Sequence, residues 1–179
     1  MKSPCRETCV AVLLAAGCFN SAKRSASDAA GPIACNDLLP LGDPVVEATS
    51  AGTPEVPVAA GGQMPAGLYH LASSTYYPAP ACTVVGVATR LSSRPTSSTV
   101  GTIEIVTTTA AGDTLSESVS YSVSGASLSA RVDCISPNVA GLSGSTLQIP
   151  FTATAQQIQL YKSTPTCGAG IDTYQLDGV

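Results

Sequence analysis

Apolar and polar residues alternate with a period of two along most of the second half of the chain. The clearest run is SVSYSVS, where Val119, Tyr121 and Val123 alternate with Ser118, Ser120, Ser122 and Ser124. Successive side chains of an extended strand point to opposite faces, so this run predicts a strand with one face buried and one wet. Leu128, Ala130, Val132 and Cys134 repeat the pattern against Ser127, Ser129, Arg131 and Asp133. Leu147, Ile149, Phe151 and Ala153 repeat it against Gln148, Pro150, Thr152 and Thr154, and Ile158 and Leu160 do so once more. No stretch carries a convincing helical period.

Eight strands are predicted, near residues 67–77, 83–91, 99–109, 114–124, 126–134, 146–155, 157–163 and 171–177. The joints carry turn chemistry and several are short: AAGD at 110–113, Gly125-Ala126, and TAQQ at 154–157. Short joints make sequence neighbours into antiparallel spatial neighbours. A meander of amphipathic strands leaves two exposed edges unless it curls until first and last meet. The expected fold is therefore all-β, an antiparallel up-and-down meander closing into a small barrel or half-barrel. The alternative is a seven-stranded immunoglobulin-like sandwich, as in surface adhesins, whose crossing connections need longer loops than these.

The N-terminal third reads differently. Lys2 and Arg6 stand against a single Glu7, and residues 9–16 form a short apolar stretch ending in small residues, the layout of an export signal. A stretch of this length covers only ~13 Å at ~1.5 Å per residue, against ~30 Å of bilayer core, too little for a permanent span. It runs into LLAAGC at residues 13–18. Ala15, Ala16 and Gly17 suit an ordinary signal peptidase, and the same hexapeptide resembles the lipobox of bacterial lipoproteins, the resemblance covering residues 1–21. The usual bulky residue three places before the cysteine is Ala15 here, with Leu14 one place too early.

That resemblance implies a signal peptide over residues 1–17, a diacylglyceryl group on the Cys18 thiol and a further chain on the freed amine. At ~0.8 kcal/mol per buried methylene, two or three chains tether a protein to a membrane indefinitely. Phe19, standing where Asp would direct retention, points by the family's sorting habit to the outer membrane of a bacterial envelope, with the periplasmic or surface face left open. Cysteine arithmetic distinguishes the two cleavage modes. Cys5 and Cys9 leave with the signal, and a lipidated Cys18 leaves Cys35, Cys82, Cys134 and Cys167, an even set able to close two disulfides. Ordinary cleavage leaves an odd thiol in an oxidising space.

Residues 18–62 read as a lipidated N-terminus and an Ala/Pro/Ser/Thr-rich tether, and residues 63–179 as the all-β domain. The portion from Cys35 to Val46 packs on the domain instead if a disulfide pins it. A second resemblance covers residues 61–179: GGQMPAGLYHL, IPFTATAQQIQLY and DTYQL are similar to bacterial lipoproteins carrying a small lipocalin-like barrel or half-barrel. True lipocalins show Gly-x-Trp near the first strand, and this chain has no tryptophan, so the resemblance carries architecture alone. Four cysteines permit three pairings. In a closed barrel Cys82, after the first strand, and Cys167, before the last, reach one rim and are expected to pair. Cys35 then joins Cys134.

Loss of Lys2, Arg6 and Glu7 with the signal leaves six basic and eleven acidic residues, a net charge of −5. That disfavours nucleic acid as a partner. The spacings of 47, 52 and 33 residues between the four cysteines lack the close pairs of a structural zinc site. No cofactor motif is present.

His70 is the only histidine. A hydrolase reading makes it a general base for a serine, with Asp133 or Asp172 as orienter. GLSGS at 141–145 falls short of a nucleophile elbow because Ser145 stands where Gly is required. A Lys162–Asn138 isopeptide is a further, minor possibility. Tyr76 and Tyr77 fall where a barrel has its mouth and, with His70, are the candidate ligand contacts for a small ligand, a glycan or an envelope protein. The favoured reading is a non-enzymatic, lipid-anchored envelope module that binds or builds structure, and the alternative is a small secreted hydrolase using His70.

Overall fold

Val119, Tyr121, Leu128, Ala130 and Val132 are all buried, and the serines between them face outward, so the two strands of strongest alternation form as expected. The computed structural model describes residues 35–39, 46, 48–52, 55–77, 86–137, 142–164 and 168–178. The strands are β1 (Ala48–Ser50), β2 (Gly67–Tyr77), β3 (Val87–Pro95), β4 (Val100–Thr109), β5 (Thr114–Ser124), β6 (Ser127–Ser136), β7 (Thr146–Ala153), β8 (Gln157–Thr164) and β9 (Gly168–Leu176).

From β2 to β9 every strand is antiparallel to the next, and β9 pairs back onto β2 from Tyr69↔Leu176 to Tyr77↔Ala169. This closes an eight-stranded up-and-down barrel of lipocalin-like architecture. Closure removes both the half-barrel and the immunoglobulin-like alternative, since no connection crosses from one sheet to another.

Three elements depart from expectation by more than two residues. The strand expected at 83–91 runs Val87–Pro95. Thr96 and Ser97 both donate their backbone N–H to the Val100 carbonyl, and the Ser97 hydroxyl accepts from the Thr99 N–H. The turn therefore sits at 96–99, and Ser92 and Ser93 belong to the ladder, not to the joint. The last strand starts at Gly168, three residues early, because its Gly-Ala-Gly start is paired on both sides, to Thr164–Lys162 and to Tyr77–Tyr76. β1 was not foreseen; it lies parallel to the upper half of β2, with Val46 bridging Val87 of β3, so the 46–50 segment fills the gap where β2 and β3 splay apart.

The described parts of the segment expected as a tether are thus bound to the barrel. Cys35 is disulfide-bonded to Cys134 on β6. Asn36 is buried and donates through Nδ2 to the Ile105 and Glu117 carbonyls across the β4–β5 seam, at 3.1 and 2.7 Å. Gly61 exchanges backbone hydrogen bonds with Phe151 and Ala153, both 2.8 Å. It needs a left-handed φ of 70°, and a Cβ there would lie 2.6 Å from the Gly125 carbonyl oxygen. This crossing closes the end of the barrel where the joints are tight, and delivers Met64, 1% exposed, into the core.

Candidate functional site

The barrel interior divides along its axis. The half nearest the tight turns holds Met64, Tyr69, Phe151, Ile158 and Tyr174, each buried to 1% exposure or less. The half at the opposite end, where the joints after β2 and before β7 are longer, is lined by Ser74, Thr89, Thr107, Thr109 and Gly170 together with Val87 and Leu115, all buried. Three charged residues enter it by strand parity. Glu117 follows Leu115 and precedes Val119 and Tyr121 on the inward face of β5; Lys162 follows Ile158 and Leu160 on β8; Asp172 precedes Tyr174 on β9.

Lys162 and Asp172 satisfy one another. The Lys162 Nζ donates to Asp172 Oδ1 at 2.5 Å and to Ser74 Oγ at 3.1 Å, and lies 4.8 Å from the centroid of the Tyr76 ring. Gly170, paired with both Lys162 and Tyr76, makes this packing possible: a Cβ there would lie 2.9 Å from the ring and 3.2 Å from Lys162 Cε. A buried ion pair is tolerated only when its hydrogen bonds are met, and here they are.

Glu117 is not met in this way. It is 1% exposed, and among the described residues neither carboxylate oxygen has a hydrogen-bond partner. Ile105 and Ile135 are its register neighbours on β4 and β6. Burial raises its pKa from 4.5 to about 7, since loss of water penalises the charged form. Tyr174, on the opposite wall, is pushed well above the usual phenol value by burial, then by the negative charges of Asp172 and Glu117 nearby.

The residues singled out in the sequence are not gathered into one site. Tyr76 is interior, 2% exposed, and packs on Lys162, so it is not a rim contact. Tyr77 ends β2, half-buried, opposite Ala169. His70 lies on the outer wall, separated from Tyr76 by the bulge between Leu71 and Ser73. Its Nδ1 is 2.7 Å from Asp177 Oδ1, and Asp177 Oδ2 also takes Arg90 at 3.3 Å. The orienters expected for it are engaged elsewhere, Asp172 with Lys162 and Asp133 with the Ser120 hydroxyl at 3.2 Å.

Leu142–Ser145 form a turn into β7 closed by Ser145 donating to the Leu142 carbonyl, not a nucleophile elbow. The Cys35–Cys134 pairing is present. Cys18, Cys82, Cys167 and Asn138 lie outside the described residues. The strand ends flanking the second expected pair, Tyr77↔Ala169 and Thr164↔Gly168, do share one rim.

Sequence reasoning missed Glu117 and Lys162 as interior charges, although parity with Val119 and Tyr121, and with Ile158 and Leu160, was enough to place them. Among the described residues there is no group of three His, Cys, Asp or Glu side chains able to hold a metal ion, and no helix long and apolar enough to cross a membrane. Fold and site together define an up-and-down barrel with an apolar half and a charged half. No family model, curated protein or solved structure matches the chain.

Proposed function

We propose that this protein is a lipid-anchored module of the bacterial envelope, held by acyl chains on Cys18, which acts by binding and not by catalysis. The observation that carries the reading is the Cys35–Cys134 disulfide, which joins residues 99 apart and fastens the N-terminal segment to the barrel wall. Disulfides of this structural kind belong to oxidising compartments outside the cytosol, in keeping with the export signal read at residues 1–17. Cys18 stands 17 residues before Cys35 in the sequence.

The binding role draws on the charged half of the interior, because an eight-stranded barrel can hold one small ligand and a few placed polar groups fix such a ligand's orientation. His70 is held by Asp177, and among the described residues no serine hydroxyl bonds to it, which speaks against the hydrolase alternative. Intact mass spectrometry of the mature protein from a bacterial host tests the anchor. The expected product begins at Cys18, carries two or three acyl chains and has no free thiol. A mature chain that begins after Cys18 without lipid refutes the proposal.

A further inference from the structure

Resting on the proposal that this barrel is a binding module, we infer that its charged half receives a small organic cation, a protonated primary amine, with the Glu117 carboxylate as counter-ion. The charge inventory leads there. Among the described residues the inward-facing charges are Glu117, Asp172 and Lys162, two anions to one cation, and the Lys162 ammonium is already committed to Asp172, Ser74 and the Tyr76 ring. Glu117 is left over: fully buried on the inward face of β5, near enough to Tyr174 of β9 for its charge to act there, with two acceptor oxygens unused among the described residues.

A second orphan stands in the same half. The Tyr76 hydroxyl is buried without a partner among the described residues, and a phenol accepts from an ammonium as readily as it donates. Tyr174 offers a third polar atom, near enough to Glu117 and Asp172 for both charges to act on it. An ammonium brings three donors and one positive charge, which matches one carboxylate without a partner among the described residues and the phenol of Tyr174 within reach of its charge. Magnesium or calcium would ask for about six or more oxygen ligands and zinc for about four, and among the described residues no group of three His, Cys, Asp or Glu side chains stands ready to hold a metal ion.

Size follows from the lining. In eight-stranded barrels the interior is filled by side chains or holds one small ligand. Where Tyr69, Phe151 and Met64 fill one half, Ser74, Thr89, Thr107, Thr109 and Gly170 line the other. Burial of Glu117, which holds its pKa near 7, makes binding depend on pH: above that value the carboxylate is charged and waiting for a cation. The groups facing it are Ile105 and Ile135 from β4 and β6, which carry no charge, and Tyr174 from β9, with Asp172 and Lys162 beyond.

Calorimetric titration of the full mature protein with n-butylammonium chloride at pH 8, with sodium butyrate as the opposite-charge control, tests the inference. Wild type is expected to bind butylammonium and not butyrate. Glu117→Gln should weaken binding about tenfold or more, the scale of one lost buried charge pair, while its circular dichroism stays that of a folded barrel. Wild-type affinity should fall about thirtyfold between pH 8 and pH 5.5 as Glu117 takes up a proton; this arm decides the matter if the variant does not fold. Absence of butylammonium binding by folded wild type, or equal binding by wild type and variant, overturns the assignment. A missing acyl mass refutes the anchor, whereas a silent titration with the acyl mass present refutes only the amine site.

Discussion

The two halves of the barrel interior solve the same problem in opposite ways. At the tight-turn end, Phe151, Ile158, Tyr69 and Met64 exclude water with apolar bulk. The Tyr69 hydroxyl there has no partner among the described residues, but it is neutral, at ~1–3 kcal/mol. Gly101 is part of that packing, since a Cβ there would lie 2.6 Å from the Tyr121 hydroxyl. At the other end short polar side chains share the lining with Val87 and Leu115, one ion pair is fully met, and one carboxylate is not. The first half stabilises the fold. The second spends part of that stability on a group that folding alone does not require, which is the usual sign of a site built for something else.

Substitutions in each half sharpen the contrast. Phe151→Ala, which opens a cavity at a residue with no exposure, should cost about 3–5 kcal/mol, read from the midpoint of urea unfolding. Lys162→Met should cost a similar ~3–5 kcal/mol at pH 8 by stranding Asp172, which is 4% exposed; a loss under ~1 kcal/mol would mean that the charged half is wet. Glu117→Gln should do the reverse and stabilise.

The sign of that effect is fixed by the direction of the shift. With a folded pKa of about 7 against 4.5, the folded state binds the extra proton between those values, so stability from this group is present below pH 4.5 and lost as pH rises through 7. The variant should therefore exceed wild type by about 3 kcal/mol at pH 8 and match it near pH 4, as thermal unfolding at the two pH values would show. The smallest effect belongs outside the barrel. His70→Gln breaks a pair whose side chains are 33% and 25% exposed, and should change stability by no more than about 1 kcal/mol while leaving butylammonium binding untouched.

Much of the fold could be read before it was seen, the contrast between the two halves could not, and the difference has a physical reason. Alternation placed β5 and β6 because each inward residue is apolar and each outward one small and polar, so period and polarity coincide. Where they part, the reading faltered. Glu117 and Lys162 occupy inward positions but look like surface residues, and the habit of reading charge as exposure hid them. The Gly-Ala-Gly start of β9 has no pattern to read, because small residues are held there by ladders on both sides and by the Tyr76 ring over Gly170.

β1 and Asn36 are decided by tertiary contacts alone. Asn36 earns its place through two backbone carbonyls more than sixty residues away. The disulfide to Cys134 was legible because closing the barrel assigned Cys82 and Cys167 to one rim and left Cys35 for Cys134, although the expected inward parity of Cys134 with Val132 is broken by a register shift that turns Ile135 inward instead.

Everything distinctive about the charged half depends on Glu117 being dry. Titration of its side-chain carboxyl carbon by NMR, in protein labelled at glutamate and assigned with Glu117→Gln, measures this directly. A midpoint close to 7 is the predicted result. A midpoint in the ordinary range near 4.3 would mean that water or a protein partner reaches the carboxylate, and would contradict the account.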